Sequence, residues 1–155
     1  MFLSLIEFFV ILALKLNILI MSKYHSVMLI DDNEIDNLIN QKMVEAARLS
    51  DYIYTHTGAK SAIEFLKNIE QLEKDVVEKV LPDVIFLDID MPLMDGFQFL
   101  EEFNKLKDAT IKKCKIIMLT SSINPQDVSK SKKYEAVKKY LNKPLSQESL
   151  MDLSI

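Results

Sequence analysis

The chain has 155 residues, 49% of them hydrophobic and 27% charged, with a formal net charge of -4. That length favours one compact domain, and the mild acidity gives no electrostatic ground for non-specific attraction to a nucleic-acid backbone. A single cysteine, Cys114, excludes an intramolecular disulfide and a multi-cysteine zinc site, and the two histidines, His25 and His56, do not stand at the i, i+4 spacing of a helical metal motif.

Residues 1–20 hold 16 hydrophobic side chains and only two charges, Glu7 and Lys15. The run Phe2 to Ile20 approaches the ~20 apolar residues that a membrane span needs. It makes a poor secretory signal, because no basic residue precedes it and no small-x-small cleavage site follows. Glu7, Lys15 and Asn17 weaken it as an anchor, and Lys23 after it would favour a cytoplasmic position for the rest. Met21-Ser22-Lys23-Tyr24-His25 reads as an ordinary start running into a strand. The expected organisation is therefore a hydrophobic extension over residues 1–20, spurious or an anchor, followed by one domain over residues 21–155. A packed or interfacial helix is the third reading of the extension.

From His25 onward, apolar runs alternate with helical patterns. Ser26–Ile30 is a buried-strand run ended by Asp31-Asp32, and Ile35, Leu38, Ile39, Met43 and Ala46 then repeat at helical spacing, with Asp32 or Asn33 as the cap. Tyr52–His56 is rich in strand formers. A second helix is expected from about Ala59 through Ile69, continuing through the charged stretch toward Lys79 until Pro82 stops it. Val84–Leu87 has the continuous apolar character of a strand covered on both faces. Pro92 and Gly96 punctuate the next loop, and Phe97, Leu100, Phe103 and Leu106 predict a third helix. Ile116–Leu119 is the fourth strand, Pro125 opens a short lysine-rich helix, Val137–Leu141 is the fifth strand, and Ser146 caps a last helix through Leu150 and Leu153. Five strands alternating with five helices predict an α/β fold with a parallel sheet covered on both faces.

In such folds ligands bind beyond the carboxyl ends of the strands, near a topological switch point. Strand one ends at Asp31-Asp32, strand three at Asp88, strand four at Thr120, and the loop after strand five holds Lys143. Three carboxylates, a hydroxyl and an ammonium thus converge on one edge. Close carboxylates repel unless a cation shares them, and oxygen ligands of this kind favour Mg²⁺. One carboxylate can then attack a phosphoryl group, while the lysine neutralises the transferred oxygens and the hydroxyl donates a hydrogen bond.

These residues together resemble a known family. The acidic pair after strand one, Leu87-Asp88-Ile89-Asp90-Met91-Pro92-Leu93-Met94-Asp95-Gly96, Leu119-Thr120-Ser121-Ser122 and Lys143-Pro144 look like a response-regulator receiver domain of the two-component type. The resemblance implies a flavodoxin-like three-layer sandwich with strand order 2-1-3-4-5. It implies that Asp88 is the phosphoacceptor and that Mg²⁺ is held by Asp32 and Asp88, by Asp31 largely through water, and by the backbone carbonyl of Asp90. Thr120 and Lys143 would contact the phosphoryl group, with Thr120 and Tyr140 as the switch pair. The implied partners are a histidine kinase or phosphotransfer protein upstream and a protein target downstream, with a second copy of the chain as a further partner, no nucleic acid, and a membrane only if residues 1–20 are an anchor. The implied location is cytoplasmic.

Three departures stand out: a long segment over Glu70–Leu81, Leu145 where an aromatic residue is common, and a carboxylate at Asp90 beside the site. An alternative is a Mg²⁺-dependent phosphatase of the haloacid-dehalogenase type, using Asp88 and Asp90 as its Asp-x-Asp pair. It fits less well, because the acidic pair precedes Asp88 and Pro92 stands where a threonine or valine is expected. About ten residues follow Pro144, room for one helix of about three turns, so output is expected through protein–protein binding or phosphoryl relay.

Overall fold

Alternate residues of β1 (Tyr24–Ile30) enter two different cores, and this two-residue period builds the whole molecule. The structure, a computed structural model, describes residues 4–121 and 123–155. Residues 1–3 of the extension and Ser122 of the strand-four motif lie outside the described residues. The elements run α1 (Leu5–Ile20), β1, α2 (Glu34–Ala46), β2 (Ser50–His56), α3 (Ala59–Ile69), α4 (Lys74–Val80), β3 (Val84–Asp88), α5 (Gly96–Phe103), α6 (Asp108–Lys113), β4 (Lys115–Thr120), α7 (Pro125–Ser131), β5 (Val137–Asn142) and α8 (Gln147–Met151). The strands form one parallel sheet in the order β2-β1-β3-β4-β5, the expected doubly wound arrangement.

Met28, Ile30, Ile85, Leu87, Ile116 and Met118 point to one face, where Ala62, Ile63 and Leu66 of α3 and Phe99, Leu100 and Phe103 of α5 cover them. Val27, Leu29, Val84, Phe86, Ile117 and Leu119 point to the other, against Val44 of α2 and Leu150 of α8. Each fully buried phenylalanine or leucine here contributes about 1.5–3 kcal/mol by leaving water. No described residue of α1 enters either core, and Ser4 to Leu16 are exposed. Among the described residues no helix is long and apolar enough to cross a membrane.

Eight helices are present among the described residues where five were expected. The second helix does not continue to Pro82. It ends at Ile69, because the Glu70 carboxylate turns inward to accept hydrogen bonds from Thr110 Oγ1 (2.6 Å) and the Lys107 N–H (2.9 Å), and α4 starts afresh at Lys74. Leu106 and Leu153 are buried as expected but follow their helices, in turns closed by Leu106 N–H to Phe103 O and Leu153 N–H to Leu150 O. Of the two cap candidates before α2 it is Asn33 that accepts from the N–H groups of Ile35 and Asp36. Ser146 caps α8 as expected, in a reciprocal pair with Ser149, and Asp95, not singled out from the sequence, forms another with Gln98.

Candidate functional site

The register of the sheet brings its carboxyl ends level. Ile30 pairs with His56 and Leu87, Asp88 with Leu119, and Thr120 with Asn142. The ladder continues just past these pairs: the Asp31 N–H donates to His56 O (3.1 Å) and the Lys143 N–H to Thr120 O (2.8 Å). Asp31, Asp88, Thr120 and Lys143, picked from four separate segments, therefore meet at one edge beside the point where β2 and β3 diverge on either side of β1.

The meeting is close. Lys143 Nζ lies 2.5 Å from Asp31 Oδ2, 3.0 Å from Asp88 Oδ1 and 3.4 Å from Asp36 Oδ2. Asp31, Asp88 and Thr120 are 1%, 4% and 5% exposed, so their polar groups have little water to screen them. Burial pushes the Asp88 carboxyl up to about 6; Lys143 opposes the shift, the Asp31 charge adds to it, and the Asp90 backbone N–H pulls it back. For Lys143, burial acts to lower the ammonium's pKa, but its bonds to Asp31 and Asp88 outweigh that and hold it above the ordinary lysine value. Asp88 is thus mostly ionised at neutral pH and paired with a cation that stays charged.

Asp31, Asp32 and Asp88 each offer a carboxylate oxygen within 4.8 Å of the others. Asp31 Oδ1 accepts from the Asn33 N–H at 2.9 Å, whereas buried Oδ2 faces the Lys143 charge without an aligned hydrogen-bond donor. Three carboxylates gathered around one ammonium leave a surplus of negative charge on hard oxygens, and that donor set fits a small divalent cation. Asp90 is exposed at the start of the following loop, and Tyr140 on β5 is half-buried, its hydroxyl donating to Asp127 O on α7 at 2.9 Å.

Three supporting residues were not singled out from the sequence. Asp36 reads there as a polar position in an amphipathic helix, yet it is a third carboxylate on Lys143. Asn37 Nδ2 donates to Asp31 O (2.9 Å) and His56 O (3.0 Å), tying α2 to the ends of β1 and β2. Buried Asn40 accepts from the N–H of Leu145, just past the cis Lys143–Pro144 bond. The apolar repeat pointed the wrong way here: Ile35, Leu38 and Ile39, expected to face the core, are exposed. Instead α2 buries Asn37, Asn40 and Val44, because the strand-end carbonyls and the Leu145 N–H recruit the two amides.

A family profile described as the response regulator receiver domain matches residues 27–154. Response regulator Rcp1 of Synechocystis sp. is 26% identical over 128 residues, 82% of each chain. Sensor histidine kinase CheAY of Helicobacter pylori is 29% identical over 124 residues; these are 80% of this chain, which spans 14% of that kinase. The crystal structure of a two-component response regulator from Cytophaga hutchinsonii is similar with a TM-score of 0.73 at 28% identity, covering 83% of this chain and 92% of that one.

Proposed function

We propose, from the premise that this chain belongs to the response regulator receiver domain family, that its Asp88 accepts a phosphoryl group and that Asp31, Asp32, Asp90, Thr120 and Lys143 serve that transfer. The observation that carries the reading is the placement of one ammonium against both Asp31 and Asp88, within a cluster of three carboxylates at the strand ends.

The nucleophile is the ionised Asp88 carboxylate. One of its oxygens attacks the phosphorus of a phosphohistidine or small acyl phosphate, forming an aspartyl-phosphate as the donor's bond to phosphorus breaks. Lys143, already 3.0 Å from Asp88 Oδ1, follows the charge onto the transferred oxygens. Thr120, one residue beyond the β4 partner of Asp88, would donate its hydroxyl to a phosphoryl oxygen. Asp31, Asp32 and Asp88, with the carbonyl of Asp90, would hold Mg²⁺. That ion supplies charge neutralisation for the oxygens in transfer.

The donor is a histidine kinase or phosphotransfer protein, and output passes to a protein partner or onward phosphoryl acceptor. The face built from residues 124–134, 137–141 and 146–153 is the site of that output. Nothing in the family match supports the dehalogenase-type phosphatase. The test is incubation with acetyl phosphate and Mg²⁺ followed by phosphate-sensitive mass analysis. Stoichiometric labelling of the parent and none of Asp88→Asn is expected; equal labelling of that variant overturns the assignment.

A further inference from the structure

Lys143 has more carboxylate partners than the transfer chemistry requires. Two of them, Asp31 and Asp88, belong to the cluster that fits a divalent cation. The third, Asp36, stands outside that cluster, on the first turn of α2, at 3.4 Å from the ammonium. Its backbone is fixed there, since the Asp36 N–H donates to the Asn33 cap at 3.3 Å and the neighbouring Asn37 side chain is anchored on Asp31 O and His56 O. Asp36 is half-exposed while Lys143 is largely buried, so the pair sets a carboxylate that keeps much of its hydration beside an ammonium that has little.

A divalent cation and Lys143 both draw on Asp31 and Asp88. When Asp31 gives its charge to a cation, the ammonium loses the partner now at 2.5 Å and is repelled by the cation as well. Without another carboxylate, cation binding would leave a buried ammonium half-paired, which costs affinity. We propose that Asp36 is a positioning residue for Lys143, keeping the ammonium paired while a divalent cation occupies the charge of Asp31 and so setting how tightly that cation is held. This inference rests on the Mg²⁺ reading given above.

Two simpler effects of Asp36 must be separated from it. A carboxylate near the site attracts a cation through space, and one in a first helical turn stabilises the helix through its dipole. Neither depends on Lys143. The experiment is therefore a double-mutant cycle, with Mg²⁺ affinity read by calorimetry on the full chain and folding checked by thermal melts. Asp36→Asn is expected to weaken Mg²⁺ binding about fivefold to tenfold in the parent, but less than about twofold when Lys143→Ala is already present. Asp36→Glu, which restores the charge on a longer stem, is expected to recover most of the loss. An equal loss with and without Lys143, or no loss at all, overturns the role of Asp36 and leaves the Mg²⁺ reading standing. Failure of the unaltered protein to bind Mg²⁺ overturns both.

Discussion

A Cβ placed on Gly96 would lie 2.7 Å from the backbone oxygen of Asp88 and 2.9 Å from the Cα of Ile89. Gly96 has no positive φ, so its need is for space and not for an unusual backbone conformation. The loop from Asp88 folds back so tightly that the Gly96 N–H donates to Ile89 O at 2.8 Å, and α5 starts directly against the strand end that carries Asp88.

Gly96→Ala therefore tests two opposed effects. At a free helix start, alanine would stabilise by up to about 1 kcal/mol. Here the methyl group meets backbone atoms that cannot rotate away, and overpacking of this kind costs about 1–3 kcal/mol. The expected outcome is a melting temperature lowered by about 3–10 °C together with slower labelling of Asp88. An unchanged or raised melting temperature would contradict the contact.

The pH dependence of stability should report Asp88. Its carboxyl titrates near 6 in the fold, against 3.8 when unperturbed, because burial and the Asp31 charge disfavour ionisation. The folded chain thus binds more protons than the unfolded chain between these values. The cost of holding Asp88 ionised, on the order of 3 kcal/mol at pH 7, is absent below about pH 4 and fully present above the folded value. In EDTA-containing buffer, Asp88→Asn is expected to exceed the parent in stability at pH 7.5, with the advantage shrinking as pH falls toward 4.5. Urea melts across that window check it; a constant difference would rule out Asp88 as the titrating group.

Residues 1–20 should not matter to phosphoryl uptake. The described side chains of α1 from Leu5 to Leu16 are exposed and enter neither core, and the sheet starts only at Tyr24. A chain starting at Met21 is expected to label with acetyl phosphate at the parental rate and to melt within about 2 °C of it. A large loss of either would show that the extension packs on the domain.

The central strands β1, β3 and β4, and the polar positions at their ends, were legible in sequence because burial on both faces leaves little choice of residue. Val84 to Leu87 is a run of four apolar side chains, and the next residue, Asp88, is the first to be charged. Helix ends were harder to read. Glu70 looks like an exposed helical residue until α6 is in place to supply Thr110 and Lys107 as its donors, and that contact spans about forty positions. Asp36 and Asn37 failed to stand out for the same reason: their partners, Lys143 and the carbonyls of Asp31 and His56, are assembled only by the sheet. Polar residues recruited by distant backbone follow no local period, so periodicity assigns them to solvent.

The last prediction concerns how the charge at Asp88 reaches the opposite edge of the sheet. A phosphoryl group on Asp88 would add about −1.5 to −2 charges, and Thr120 ends β4, the strand beside it. Tyr140 sits on the next strand, paired with Met118, two residues before Thr120. Its hydroxyl is held by Asp127 O, and a bond of this type contributes about 0.5–1.5 kcal/mol net. Turning the ring inward behind Thr120 forfeits that bond and frees the start of α7, whose Lys130 ammonium lies 4.0 Å from the Phe97 ring centre on α5. Tyr140→Phe removes the restraint without removing the ring. The switched conformer should then gain about twofold to tenfold in population before any phosphorylation. Chemical-shift mapping with and without a beryllofluoride phosphoryl analogue provides the measurement. Resonances of residues 124–134 in unphosphorylated Tyr140→Phe should move part of the way toward the analogue-bound positions of the parent. If the analogue perturbs only the surroundings of Asp88, and the variant leaves α7 and α8 where they were, Tyr140 does not carry the signal and the output face lies elsewhere.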